Sequence, residues 1–218
     1  MPPERDLAHD AQLLALTLVG GAMDALGYLH FHVFMGNMTG NAIVCGLAFG
    51  GIRALDAGRA LIAILTFVVG VMAGTLLNNP RVTLLLEVVA LVAFAVLWQF
   101  DRAADSAGFA LLIAIGAGAM GLQTAATRQT HGRGAASTYM SGTLASAATG
   151  AIEALRDAAK APGAIFSAAT FVVYLLGAIL VGTLGARHAG ILALIPIASL
   201  ATVFAVAVGR WRGLVQER

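Results

Sequence analysis

The sequence predicts an all-α polytopic membrane protein made of two similar halves, with six full spans plus two short or re-entrant helical segments. Three observations carry that expectation. Hydrophobic residues make up 59% of the 218 and charged residues 11%, whereas an average soluble domain is about 25% charged. The charges gather between apolar stretches long enough to cross a hydrocarbon core, which takes roughly 20 helical residues. Landmark residues also recur between the two halves.

Six stretches have the length and apolarity of a span: Ala11 to His30, Arg59 to Leu77, Val82 to Phe100, Ala107 to Thr127, Gly163 to Gly185 and Ile191 to Gly209. Asn78-Asn79-Pro80-Arg81 and Gly185-Ala186-Arg187-His188 are short, polar and rich in helix breakers, so they read as tight turns between antiparallel helices. Pro196 is expected to kink the last helix, which neighbouring helices tolerate.

Two further stretches, Val33 to Gly51 and Ala135 to Ile152, each begin with a cluster of Gly, Asn, Ser and Thr. Each is either a thin spanning helix or a half-helix preceded by extended backbone. The distribution of Lys and Arg does not separate these options, because both place the two termini in the cytoplasm. Arg210, Arg212 and Arg218 after Trp211 support a cytoplasmic C-terminus.

The formal net charge of +2 does not point to nucleic acid. The basic residues sit at segment ends, with no basic stripe carrying interleaved aromatics. Cys45, the single cysteine, lies in an apolar run and reads as a small buried residue. Met1 to Asp10 carries both charge signs and two prolines, a poor signal-peptide start, and is expected to stay on the chain.

Thr66-Phe67-Val68-Val69 recurs as Thr170-Phe171-Val172-Val173, 104 residues on. Asn37-Met38-Thr39-Gly40-Asn41 faces Tyr139-Met140-Ser141-Gly142-Thr143 at an offset of 102, and Gly21-Ala22-Met23-Asp24 lines up with Met120-Gly121-Leu122-Gln123. The halves are 1–105 and 106–218 of one membrane domain. If each crosses three times the repeats are inverted; if four, they are parallel.

The two polar heads are the strongest functional signal. A helix starting at Asn37 or Tyr139 aims free backbone N–H groups and a positive dipole end at what precedes it. Paired interruptions in corresponding positions of two halves point to a transport site. The competing reading is packing, since Gly36 and Gly40 form a GxxxG pattern and Ser and Thr join membrane helices. Asp24 lies deep in the first span, where an isolated carboxylate costs about 2.5–3.5 kcal/mol on insertion scales. It is expected to face a cavity, to pair with Arg128, or to hydrogen-bond nearby glycine-rich backbone. Gln123 holds the matching place in the second half.

Glu87 is expected near the interface, with snorkelling and functional roles both open. His30 and His32 diverge if helical, and no metal site is assigned. Arg128 and Arg133 read as topology charges or as an anion funnel. The sequence contains no HExxH, GxSxG or P-loop, so no enzyme activity and no cofactor are expected.

At Asp24, Asn37-Met38-Thr39-Gly40-Asn41, Gly121-Leu122-Gln123 and Met140-Ser141-Gly142-Thr143, the sequence resembles the YoaK-type bacterial inner-membrane proteins, a domain of unknown function. Thr124 and Ser141 depart from that family's Gly-Leu-Gln-Asn and Met-Thr-Gly-Thr elements. The resemblance covers nearly the whole chain and implies a multi-pass inner-membrane protein of about six spans.

The expected function is therefore a transporter or channel for a small solute. Its pathway between the halves would be lined by Asn37, Thr39, Asn41, Ser141 and Thr143. Asp24 is the candidate proton- or cation-coupling group, and Gln123 its counterpart. The alternative is a non-transporting scaffold or accessory subunit. The expected partners are the lipid bilayer, a small anionic or polar solute and a second copy in a homo-oligomer; nucleic acid is not among them.

Overall fold

The computed structural model describes residues 7–52, 54–100, 106–131, 139–185 and 197. Among the described residues, seven α-helices follow one another: α1 Leu7–Phe31, α2 Met38–Phe49, α3 Ala54–Leu77, α4 Pro80–Phe100, α5 Ser106–His131, α6 Met140–Arg156 and α7 Ala161–Gly185, with a 3-10 turn at Ala158–Lys160. Five of them (α1, α3, α4, α5, α7) are long and apolar enough to cross a membrane, and these contain five of the six expected spans. The last expected span, from Ile191 with Pro196, lies outside the described residues apart from Ile197, which packs against the core. The turn beyond Gly185, Arg133 and the start of the second polar head are also outside them.

Local chemistry sets the helix ends. Asn78 takes a left-handed conformation (φ 45°) one residue beyond α3, as a short polar side chain permits. Asn79 then caps α4, its Oδ1 accepting from the N–H groups of Arg81 and Val82, and Pro80 fills the first helical position. The expected tight turn is therefore present. His32, also left-handed (φ 60°), closes α1.

The packed pairs are α1 with α7, α3 with α5, α4 with α5, α2 with α3 and α6 with α7. Helices α1 and α5 supply much of the buried core, whereas α3, α4 and α7 turn Leu65, Val69, Val89 and Ile179 outward. An apolar outer face of this kind suits lipid.

Contacts along the bundle give the helix directions. Leu16 accepts a hydrogen bond from Gln123 Nε2 at 2.8 Å, Met23 packs beside Gly116, and Phe31 meets Phe109 at 5.3 Å. As α1 advances α5 recedes, so the two run antiparallel. Trp98 packs on Phe31 with ring centroids 5.8 Å apart, which brings the end of α4 to the end of α1. Helix α3 runs parallel to α5: the Arg59 guanidinium lies 5.4 Å from the Phe109 ring centroid, and Gln129 donates to the Gly74 carbonyl further along.

The second ambiguous stretch gives α6, 17 residues long, about 26 Å at 1.5 Å per residue, whereas the first forms a half-helix. Helix α2 has 12 residues, about 18 Å at 1.5 Å per residue, too short for a hydrocarbon core of about 30 Å. After α1 ends, the chain turns back: Met35 lies against Gly27 and Gly36 N–H bonds Asp24. That level is seven residues, about 10 Å, short of the end of α1. Helix α2 then runs back out, since Cys45 near its end donates to the Ala57 carbonyl at the start of α3. The segment enters and leaves on one side.

Glycines set the closest helix crossings. A Cβ on Gly21 would strike the Tyr174 carbonyl, and one on Gly177 the Leu18 carbonyl. In the other pair, Gly121 meets the Phe67 carbonyl and Gly70 the Gly118 carbonyl. Leu18 and Gly21 thus correspond to Gly118 and Gly121, and Phe67 and Gly70 to Tyr174 and Gly177. The second correspondence lies about one helical turn from the Thr66/Thr170 sequence match, because close backbone approach, not residue identity, sets the crossing.

Replacing Gly121 by Leu is expected to destabilise the bundle by about 1–3 kcal/mol or more through overpacking. Gly46→Ala, with no atom within 4 Å of the added methyl, is expected to be neutral. Thermal melts in detergent check this; equal melting of wild type and Gly121→Leu would rule out the close crossing.

Candidate functional site

Asp24 holds the re-entrant segment in place. It is buried at 2% exposure in α1. Its Oδ1 accepts from Gly36 N–H at 2.6 Å and Asn37 N–H at 3.2 Å, and its Oδ2 accepts from the Tyr174 hydroxyl of α7. Three donors thus converge on one carboxyl group. Of the three expectations for Asp24, hydrogen bonding to glycine-rich backbone is the one observed; it makes no pair with Arg128 among the described residues.

Asn41, one turn into α2, is buried. Its carboxamide pairs with the Phe34 backbone, with Oδ1 accepting from N–H at 2.8 Å and Nδ2 donating to the carbonyl at 2.7 Å. This is the pairing a neighbouring strand would make, and it satisfies extended backbone that lipid cannot. Asn37 is the N-cap of α2, accepting from Gly40 N–H at 3.2 Å.

The second head is built differently. Tyr139 precedes α6 but makes no side-chain cap bond, and Thr143 Oγ1 donates back to the Tyr139 carbonyl at 3.0 Å. Between the heads lies an open cavity of about 790 Å3. Asn37, Thr39 and Gly40 line it from the first head, and Tyr139, Met140 and Ser141 from the second. Phe67 and Val71 of α3, Thr124 and Arg128 of α5 and Tyr174 of α7 complete the wall.

The match to the model of the family described as Protein of unknown function (DUF1275) runs over residues 12–207. The chain belongs to the DUF1275 family. It is 35% identical over 143 residues to the UPF0700 transmembrane protein YoaK of Bacillus subtilis (strain 168), over 62% of this chain and 63% of that protein. The match thus spans less than two thirds of the length of that relative. No solved structure matches the chain. The YoaK-type resemblance read from the sequence is the family found, and this DUF1275 chain is a multi-pass membrane protein.

Of the seven candidate site residues of this DUF1275 chain, Asn37, Thr39 and Ser141 reach the cavity wall. Asp24 lies directly behind it, bonded to wall residues Gly36, Asn37 and Tyr174. Asn41, Gln123 and Thr143 are occupied elsewhere: Asn41 with Phe34, Gln123 with the Leu16 carbonyl and Thr143 with its own helix. In the register of the crossings, the α5 counterpart of Asp24 is Thr124, one residue beyond Gln123.

Two wall residues outside the seven candidates bear on the site's chemistry, Tyr174 and Arg128. Tyr174 is a lone tyrosine in an apolar span, directly after the repeated Thr-Phe-Val-Val; that singularity was the available signal. Arg128, open to either a topology or an anion role from sequence, sits on the cavity wall. Glu87 is a correction to the interfacial expectation: it is fully buried.

Losing the Tyr174 hydroxyl removes one charge-assisted bond, so Tyr174→Phe is expected to cost about 1.5–3 kcal/mol. Asp24→Ala strands three donors and is expected to cost more. Melting temperatures rank the two; wild-type stability of Asp24→Ala would refute the clamp.

Proposed function

We propose that this protein moves a small anionic or polar solute across the bacterial inner membrane, through the cavity between the two polar heads, with both termini in the cytoplasm. The observation that carries the reading is that Asn37 and Thr39 of one head and Ser141 of the other line one cavity in a bundle whose outer face is apolar. Dry helix packing would need no such space.

An inverted duplication supports the same reading. The paired first helices α1 and α5 run antiparallel, and the pairings α1–α7 and α2–α3 have the counterparts α5–α3 and α6–α7. Half-helices meeting where two inverted repeats join are a recurrent transporter arrangement. The preference for an anion rests on Arg128, the one charged side chain among the described lining residues, and on two helix N-termini facing the cavity. On this reading the protein acts by binding and release, without chemical change of the solute.

Thermal-shift screening against small anions and neutral polar solutes tests the proposal. A solute at 100 times its Kd stabilises the protein by about 2.7 kcal/mol. Bound anions are expected to raise the melting temperature of wild type by several degrees, and to lose that effect in Arg128→Ala and in the cavity-filling Ser141→Trp. A solute-induced shift that survives Ser141→Trp unchanged, or no shift with any solute, would favour a non-transporting scaffold. Uptake of the bound solute into proteoliposomes then separates transport from binding alone.

A further inference from the structure

We propose that Glu87 is a proton-binding site inside the membrane-spanning bundle, distinct from Asp24 and from the cavity. Glu87 lies in α4 seven residues after Pro80, about 10 Å along the helix axis. Its neighbours Leu85, Leu86 and Val89 face outward, while Glu87 itself is 0% exposed beside the buried stripe of Leu84 and Leu91. Among the described residues, neither carboxyl oxygen has a hydrogen-bond partner.

Among the described residues, the helices packed on α4 bring no charge to Glu87. They are α5 and α3, with the end of α1 on Trp98, where the ionisable His30 packs eleven residues further along α4 than Glu87. Helix α3 has no titratable side chain after Arg59, and α5 has none before Arg128. Arg59 is engaged with Asp56 at 3.7 Å and sits at the far end beside Phe109. Arg128 is exposed on the cavity wall. On α4 itself, Arg81 is exposed at the helix start.

A carboxylate in such a place bears its full desolvation cost, so the resident form is the neutral acid. Asp24 and Glu87 differ in what surrounds them. Asp24 accepts three hydrogen bonds; Glu87 has no such partner among the described residues and holds one proton on a carboxyl oxygen. The site rests on its own burial and stands whether or not the cavity carries a solute.

Infrared spectroscopy of the full-length protein in liposomes tests this directly. At neutral pH, wild type is expected to show the C=O stretch of a protonated carboxyl, which Glu87→Gln abolishes and Asp24→Asn leaves in place. Should Glu87→Gln fail to fold, Glu87→Asp serves instead and is expected to keep the band at a shifted position. A band unchanged by either Glu87 substitution, or no protonated-carboxyl band in wild type, would overturn the proposal. Loss of the band in Asp24→Asn but not in Glu87→Gln would assign the proton to Asp24.

Discussion

Lipid offers no hydrogen-bond partners, so any backbone that leaves helical form inside the bilayer must be satisfied by the protein itself. Residues 32–37 leave helical form and turn back into the bundle; His32 and Val33 donate to carbonyls of α1, and side chains meet the amide groups further on. Asp24 receives Gly36 and Asn37, and Asn41 takes both polar groups of Phe34. Without these partners the segment has no stable position at that depth. The cavity wall formed by Gly36, Asn37 and Thr39 exists because the carboxylate behind it anchors the strand. Since Tyr174 closes the same carboxylate from α7, the first head is tied to the helix that carries the second half of the wall.

Small residues make this geometry possible. Gly21 and Gly177 let α1 and α7 approach to backbone contact, as Gly70 and Gly121 do for α3 and α5. Membrane helices gain little from hydrophobic burial, because lipid tails are as apolar as leucine; close van der Waals packing replaces it. The two tight crossings hold the long helices as a frame, against which α2 packs on α3 and α6 on α7.

Asp24 and Glu87, both buried in spanning helices, differ in what faces them. Asp24 is surrounded by donors, and Glu87 lies beside the apolar Leu84 and Leu91. Arg128 is the one charged side chain among the described residues that line the cavity.

Much of the architecture was legible in the sequence, because span length is a local property. An uninterrupted apolar run of about 20 residues has one economical conformation in a bilayer, so α1, α3, α4, α5 and α7 lie where the sequence placed them. The polar heads and the Asn78–Pro80 turn were legible for the same reason: glycine, asparagine and proline act on their own backbone. What the sequence left open was non-local. Whether residues 33–51 cross or return depends on Asp24, a helix away; periodicity could not choose. Tyr174 belongs to the site through a contact 150 residues distant in sequence. Glu87 resembled an interfacial residue until the packing of α4 on α5 turned its face inward. The amino-acid sequence determined which segments can enter the bilayer, because that is a sum over neighbouring side chains; only the tertiary structure decided which polar groups meet inside it, because meeting depends on the directions and crossings of helices distant in the chain.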